Sequence, residues 1–315
     1  MILLAVFLLM AQILDRPLPL ILDGGLATEL ERRGADLSGG LWSARILEEQ
    51  PELIREVHLD YFRAGADITI TASYQATWPG LQQMGYSRHQ SKELIQRSVT
   101  LAQEARTIFC SESNGAYSPL IAASVGPYGA YLANGAEYRG QYGVSDQVLR
   151  EFHRPRMEWL LSKAPDLLAF ETLPCLQEAQ VLLRLLEEYP QVQAWFSFTA
   201  KNTAQISEGQ AVAEVGQLLG AHPQVLALGF NCMPPHLGTA LLSNLGKYTS
   251  KPLIIYPNSG EGWDAEQQCW LPAYRAPKGF GTLPQSWLEA GAKLIGGCCR
   301  TRPVDISALR RQFFQ

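Results

Sequence analysis

Eight short apolar runs divide the chain, and each is followed by a polar or glycine-rich break and then an amphipathic segment. The runs span residues 18–25, 66–73, 120–127, 166–174, 193–200, 225–232, 252–260 and 292–299. They are nearly continuous in apolar residues, which is typical of parallel strands buried on both faces. Strict alternation of strand and helix predicts a parallel sheet with right-handed crossovers. Eight such units in 315 residues predict an α/β fold, a single-domain (β/α)8 barrel of the TIM type.

A doubly wound, Rossmann-type sheet is the alternative architecture for this alternation. That fold usually carries G-x-G-x-x-G after a strand, whereas "DGG" at 23–25 lacks the rest of this fingerprint and no other predicted strand is followed by it. The segments between the strands are predicted to be helices. In 51–65, for example, Pro51 lies near the start and Gly65 at the end, both favoured cap positions. The irregular stretch 261–284 is predicted to be a long loop over the site.

The charge and cysteine content exclude several classes of protein. The formal net charge is −4 and no run is rich in lysine or arginine, so nucleic acid is not expected as a partner. Six cysteines at irregular spacings do not form a disulfide framework. We therefore expect reduced thiols in a cytoplasmic protein.

The apolar stretch "MILLAVFLLM" begins the sequence. It resembles the apolar region of a signal peptide but lacks a basic flank and an A-x-A-like cleavage site. The run ends by Asp15 and is too short to cross a bilayer, so no membrane association is expected. Residues 1–17 are predicted to form a helix packed on the bottom of the barrel, and 18–315 to form the barrel domain. Export and a misplaced start codon are the alternatives.

Polar residues collect where the predicted strands end. In barrels of this type, chemistry takes place at the carboxyl ends of the strands. Those ends carry Asp23, Gly24, Gly25, Thr71, Ser73, Tyr74, Gly126, Pro127, Tyr128, Glu171, Thr172, Asn231, Cys232, Tyr256, Pro257, Asn258, Cys298 and Cys299. Because buried polar groups are costly without partners, this set predicts a ligand site at the barrel mouth.

Two of these residues, Cys298 and Cys299, are adjacent in "LIGGCCRTRP". Neighbouring cysteines are poor disulfide partners because the peptide between them must distort. Cys232 ends the sixth strand, roughly 10 Å from the eighth across a flat sheet, and barrel curvature shortens that distance. We expect the three thiols to bind one Zn²⁺, with Gly296 and Gly297 giving the backbone freedom to turn both cysteines inward. Three unrelated buried thiols are the alternative, since free cysteine is common in cores.

Three protein ligands leave one tetrahedral position open, as in catalytic zinc sites. Three thiolates and Zn²⁺ sum to a charge of −1, which makes the ion a poor Lewis acid towards water but suits it to hold a fourth thiolate. None of the five histidines lies at a predicted strand end, which argues against a zinc hydrolase. The residues therefore predict a zinc-activated thiol substrate that attacks an electrophile. A zinc store or redox sensor would leave the other polar strand ends without a role.

Several segments together resemble the homocysteine S-methyltransferases, over about residues 18–312. They are "LDGGLATELERRG", "HLDYFRAGADITITASYQAT", "SVGPYGAYLANGAEYRG", "ETLP", "GFNC", "YPNSGE" and "LIGGCCRT". The resemblance is strongest to the cobalamin-independent branch, which uses S-methylmethionine or S-adenosylmethionine as methyl donor. It implies a (β/α)8 barrel and a zinc ion on Cys232, Cys298 and Cys299 that binds the homocysteine sulfur.

The resemblance also implies residues that bind homocysteine. Glu171 of "ETLP" corresponds to the group that binds the substrate ammonium, and Asp23 and Gly24 line the same pocket. The remaining implied contacts are Thr71 beneath the amino-acid moiety, Tyr74 as its aromatic wall, and Asn231, which precedes the first zinc cysteine.

The implied reaction transfers a methyl group from a cationic sulfonium donor to homocysteine and forms methionine. Aromatic faces such as those of Tyr74, Tyr128 and Tyr131 are candidates to attract the donor. Betaine as donor is disfavoured, because the motifs follow the S-methylmethionine branch. Selenocysteine or another thiol remains an alternative acceptor.

Overall fold

The computed structural model describes residues 19–37, 42–115, 117–264, 269–271 and 277–314. The helix predicted for residues 1–17 lies outside the described residues. No helix within the described ranges is both long and apolar enough to cross a membrane.

Eight parallel strands form one sheet, in the order β1-β10-β7-β6-β5-β4-β3-β2. An isolated parallel bridge between Leu22 and Ile68 joins β1 to β2, so the sheet returns on itself as a (β/α)8 barrel. This confirms the predicted architecture and excludes the doubly wound sheet, which stays open. The barrel strands are β1 (Leu20–Ile21), β2 (Ile68–Ile70), β3 (Leu120–Val125), β4 (Leu167–Leu173), β5 (Ala194–Phe198), β6 (Val225–Asn231), β7 (Leu253–Tyr256) and β10 (Ala292–Ile295).

Alternate residues of the strands face two separate apolar clusters. One cluster fills the inside of the barrel and includes Leu22, Ile68, Trp195 and Leu294. The larger cluster lies between the barrel and the helices that surround it. Because both faces of each strand are covered, the side chains that point into the barrel and those that point outward are both apolar. This explains why apolar and polar residues do not alternate along the strands.

Helices connect consecutive strands and cover the outside of the barrel. The helix Arg88–Glu112 begins with a capping box in which the Ser87 side chain accepts from the Gln90 backbone. Pro51 occupies the first turn of the helix Pro51–Arg63, as predicted from its cap position. The other α-helices are Leu26–Arg32, Trp42–Glu49, Trp78–Gln83, Tyr128–Leu132, Asp146–Leu161, Leu176–Leu186, Val212–Leu219, Gly238–Leu245, Leu283–Glu289 and Pro303–Phe313.

The stretch 261–284, predicted to be a long loop, contains regular structure. Strands β8 (Gly262–Asp264) and β9 (Cys269–Leu271) pair antiparallel as a small separate sheet. The prediction was wrong for these residues, because strands of three residues are too short to leave a periodic pattern in the sequence.

Close packing between β6 and β7 makes the fold sensitive to one added methyl group. A Cβ atom at Gly229 would lie 1.8 Å from the Ile254 carbonyl oxygen. We therefore expect Gly229→Ala to lower the free energy of unfolding by about 1–3 kcal/mol or more, measured by urea denaturation. Gly246→Ala is the control, because its Cβ would meet nothing nearer than 3.3 Å. Equal stability of the two variants would contradict this packing.

Candidate thiol and carboxylate site

Three cysteines meet at the carboxyl ends of β6 and β10. The sulfur of Cys232 lies 3.6 Å from that of Cys299, and the sulfurs of Cys298 and Cys299 are 4.0 Å apart. All three sulfurs lie within 4.8 Å of one another. The structure therefore brings together the three cysteines that the sequence analysis grouped.

The backbone at the strand ends turns these side chains towards one point. Cys232 follows β6 with a left-handed φ of 50°, and its N–H donates to the Tyr256 carbonyl. After β10 the chain forms a turn in which the Thr301 N–H donates to the Cys298 carbonyl and Arg300 has a φ of 66°. The departure from strand geometry thus occurs at Cys232 and Arg300.

Gly296 and Gly297 serve a different purpose from the predicted one. Neither has a positive φ, so they do not supply the left-handed turn. A Cβ atom at Gly297 would lie 2.3 Å from the Thr301 hydroxyl, and one at Gly296 would lie 2.5 Å from Leu22. Gly296 is therefore required because the chain packs directly against the end of β1, and Gly297 because the Thr301 side chain packs against it within the turn.

Mutual hydrogen bonding divides the protons unequally among the thiols. Hydrogen bonds from Cys232 and Cys298 lower the pKa of the Cys299 thiol well below its usual value. Hydrogen bonds to Cys232 and Cys299, together with burial, raise the pKa of Cys298. Of the three thiols, Cys299 is therefore the one whose ionisation its neighbours favour.

The sulfur separations match a tetrahedral metal site. Zn–S bonds of about 2.3 Å at tetrahedral angles place sulfurs about 3.8 Å apart, close to the 3.6 and 4.0 Å between neighbouring sulfurs here. A disulfide requires about 2.05 Å, and all five described cysteines outside β9 are free. The cluster therefore has the ligand type and spacing that a soft divalent cation needs.

Two buried carboxyl groups lie beside the cluster. Glu171 on β4 accepts hydrogen bonds from the hydroxyls of Ser124 and, at 3.1 Å, Tyr256. Burial raises the pKa of Glu171 to about 7 despite these hydrogen bonds. Asp23 accepts from the Thr69 hydroxyl at 2.7 Å and from the Ile70 N–H, and burial raises its pKa to about 8. Two buried carboxyl groups therefore lie at the mouth of the barrel, and a cationic ligand bound there would stabilise their charged forms.

Two other predicted site residues hold the strand ends in place. The Asn231 amide accepts from the Thr172 N–H and donates to the Thr172 hydroxyl, both at 2.8 Å. Thr172 has a left-handed φ of 62°, so Asn231 fixes the backbone next to Glu171. The Thr71 hydroxyl accepts from the Ser124 N–H at 3.0 Å and hydrogen-bonds with the Ser73 hydroxyl. It ties the end of β2 to β3.

Steric contacts govern the positions of Gly24 and Tyr74. A Cβ atom at Gly24 would lie 2.8 Å from the Thr301 hydroxyl, so this residue lets β1 approach the cysteine turn. The Tyr74 ring fills the space above Gly126, where a Cβ would lie 2.6 Å from the ring. Burial raises the pKa of the Tyr74 hydroxyl.

Sequence reasoning missed Tyr138, whose hydroxyl lies 3.0 Å from the Cys232 sulfur. Tyr138 ends the short 3-10 helix Ala136–Tyr138, within the segment "SVGPYGAYLANGAEYRG". Tyr128 and Tyr131, the aromatic candidates named from that segment, pack against Phe152 with ring centroids 4.9 and 5.4 Å away. Three aromatic residues in one short segment were the only signal, and the fold decides which of them contacts sulfur.

Histidine contributes no ligand to the described thiol cluster. His58 and His153 are fully buried in helices. His153 hydrogen-bonds Glu178 at 2.7 Å and accepts from Arg156, while His58 contacts the Thr69 hydroxyl at 2.9 Å. Both therefore have structural partners within the packing of the helices.

The fold and site define a class: a (β/α)8 barrel with three cysteine sulfurs and buried carboxyl groups at the mouth. The sequence profile of the homocysteine S-methyltransferase family matches residues 20–313. The chain therefore belongs to the homocysteine S-methyltransferase family.

Individual relatives cover nearly the whole chain. It is 52% identical to the homocysteine S-methyltransferase of Escherichia coli (strain K12) over 299 residues, which are 95% of this chain and 96% of the relative. It is 50% identical to homocysteine S-methyltransferase YbgG of Bacillus subtilis (strain 168) over 300 residues, 94% and 95% of the two chains. The crystal structure of the metallated form of homocysteine methyltransferase MmuM from Escherichia coli superposes with a TM-score of 0.88 at 48% identity, covering 96% of this chain and 99% of that one.

The raised pKa of Glu171 predicts a pH dependence of stability. Between its ordinary pKa of 4.5 and the folded value of about 7, the folded protein keeps a proton that the unfolded chain releases. Glu171 alone should therefore lower the stability of the metal-free protein by roughly 3 kcal/mol as the pH rises through this interval. Urea unfolding at pH 5 and pH 8 measures the change.

Glu171→Gln should remove this contribution, and the fall that remains should come largely from Asp23, whose pKa burial raises from 3.8 to about 8. Glu52→Gln, on an exposed glutamate in the first turn of its helix, is the control and should behave as wild type. An unchanged pH dependence in Glu171→Gln would contradict the assignment.

Proposed function

We propose that this protein transfers a methyl group from a sulfonium donor to the sulfur of L-homocysteine and thereby forms methionine. The observation that carries the proposal is the cluster of three cysteine sulfurs within 4.8 Å, at the mouth of a barrel that belongs to the homocysteine S-methyltransferase family. Relatives named homocysteine S-methyltransferases support the acceptor.

Cys232, Cys298 and Cys299 would hold one Zn²⁺ through three thiolates. A zinc ion bound there supplies a coordination position that ionises a substrate thiol, whose free pKa of about 8.5 leaves it mostly protonated at pH 7. The sulfur spacing supports this assignment, and so does the metallated form known for the MmuM relative.

The buried carboxyl groups would orient the amino acid part of homocysteine. Glu171 lies at the end of β4 with both carboxylate oxygens held, by Ser124 and Tyr256. Its position is therefore fixed before substrate binds, and the substrate ammonium would stabilise its charged form. Asp23 and Gly24 at the end of β1 and Tyr74 after β2 would line the same pocket, with Thr71 and Asn231 holding the strand ends around it.

The donor would be S-methylmethionine or S-adenosylmethionine, and the reaction is a direct displacement. The sulfur lone pair of ionised homocysteine forms a bond to the methyl carbon, and the donor carbon–sulfur bond breaks with its electron pair staying on the donor sulfur. The donor leaves as a neutral thioether. Selenocysteine and other thiols are alternative acceptors. Free cysteines suit the reducing cytoplasm that we propose as its location.

Substitution of single cysteines tests the metal assignment. Cys232→Ser, Cys298→Ser and Cys299→Ser should each lose bound zinc and methionine formation, because serine is a poor zinc ligand beside thiolates. Cys110→Ser and Cys175→Ser are the controls and should retain both. Metal analysis of protein purified under reducing conditions measures the result. The assignment fails if either member of the adjacent pair proves dispensable for zinc.

Substitution of Glu171 tests the orientation of homocysteine. Glu171→Gln keeps the side-chain shape but removes the charge that would face the ammonium, and a charge-assisted contact is worth roughly 1.5–3 kcal/mol. Homocysteine affinity should fall by about tenfold to a hundredfold while zinc content stays normal. Calorimetric titration with homocysteine measures it, and unchanged affinity would remove Glu171 from the substrate site.

The activity itself is tested with purified zinc-loaded protein, homocysteine and each sulfonium donor in turn. Each S-methylmethionine consumed should yield two methionines, one from homocysteine and one from the demethylated donor, whereas each S-adenosylmethionine should yield one. Absence of methionine with both donors, in protein that holds zinc, would overturn the proposed function.

A further inference from the structure

A cavity of about 430 Å³ opens beside the thiol cluster, on the side of β5 and β6. Cys232 forms part of one wall, and Thr199, Lys201 and Glu208 form part of another. Asp23 and Glu171, which we assign to homocysteine, follow β1 and β4 and do not line it. A ligand in this cavity would therefore approach the cluster from a different direction than the homocysteine backbone.

Lys201 supplies the cavity with an unpaired positive charge. It is exposed and forms no ion pair with any residue that the structure describes. The other charged groups of the wall are engaged: Glu208 accepts from the Gln141 N–H and from Gln210, and Arg139 donates to the Asn134 carbonyl at 3.0 Å. Lys201 is therefore the group best placed to bind a carboxylate that enters the cavity.

The end of the cavity near the thiols favours a positive charge instead. The Tyr138 hydroxyl reaches the Cys232 sulfur, and the ring of this residue borders the cavity; aromatic faces attract cations. The preceding residue, Glu137, does not line the cavity.

We propose that this cavity binds the methyl donor, with Lys201 pairing with the α-carboxylate and Tyr138 beside the sulfonium. The inference rests on the proposed function and adds the donor site to it. It identifies the ligand as an α-amino acid that carries a sulfonium group, a chemistry that S-methylmethionine and S-adenosylmethionine share. With the sulfonium at Tyr138, a methyl group of the donor would lie towards the thiol cluster, where the homocysteine sulfur would be held. The displacement described above would then leave the demethylated donor, a neutral thioether, in the cavity.

The test compares donors with and without the carboxylate in Lys201→Ala and wild-type zinc-loaded protein. The probes are S-methylmethionine, S-adenosylmethionine and (3-aminopropyl)dimethylsulfonium, which is S-methylmethionine without its carboxylate. Lys201→Ala should lower kcat/KM for S-methylmethionine by about tenfold to a hundredfold, mainly through KM. It should leave the carboxylate-free donor and the KM of homocysteine within about twofold of wild type.

Further variants distinguish the loss of the Lys201 charge from a general effect on folding. Lys201→Arg should restore much of the S-methylmethionine KM, and Lys247→Ala, an exposed lysine just after the helix Gly238–Leu245, should behave as wild type. Tyr138→Leu should weaken all three donors, because each carries the sulfonium that the Tyr138 ring attracts. If S-adenosylmethionine responds to Lys201→Ala as S-methylmethionine does, both donors use the cavity; if it does not, the site is that of the smaller donor.

Calorimetric binding of S-methylmethionine to zinc-loaded protein gives a readout without turnover. Affinity should fall in Lys201→Ala by the same factor as the KM rises. Equal losses for both S-methylmethionine and its carboxylate-free analogue, no loss for either, or a raised KM for homocysteine instead would overturn the donor site. A wild-type protein that binds S-methylmethionine through Lys201 but forms no methionine would overturn the proposed function and leave the donor site standing.

Discussion

The approach of three sulfur atoms to within 4.8 Å of one another is the constraint on which the rest of the site depends. Strands β6 and β10 both pair with β7 in the barrel, and this fixes the distance between Cys232 and the adjacent pair. Three buried thiolates at this spacing repel one another strongly. The cluster therefore stays mostly protonated on its own, and a divalent cation offsets the repulsion when all three ionise.

The same electrostatic balance extends across the mouth of the barrel. Burial raises the pKa values of Asp23 and Glu171. Each ligand that we propose brings a positive charge to this mouth: the metal to the thiols, the ammonium to Glu171 and the sulfonium to the cavity beside Tyr138. Methyl transfer removes the sulfonium charge, so the donor product is held less tightly than the donor.

The barrel and the cysteine cluster could be predicted because each leaves a signal in short stretches of the sequence. Buried parallel strands leave nearly continuous apolar runs, and Cys298 and Cys299 stand out by adjacency. Tyr138 could not be chosen over Tyr128 and Tyr131, because its contact with Cys232 depends on the path of a segment fixed by distant partners such as Thr199. The glycines before the cysteine pair were recognised as necessary, but sequence does not distinguish backbone freedom from close packing.

X-ray absorption at the zinc edge tests the central claim most directly, because it counts the atoms bound to the metal. Zinc-loaded protein alone should show three sulfur neighbours at about 2.3 Å. Addition of homocysteine without donor should raise the count to four. A shell dominated by nitrogen and oxygen, or a sulfur count that homocysteine leaves unchanged, would contradict the account.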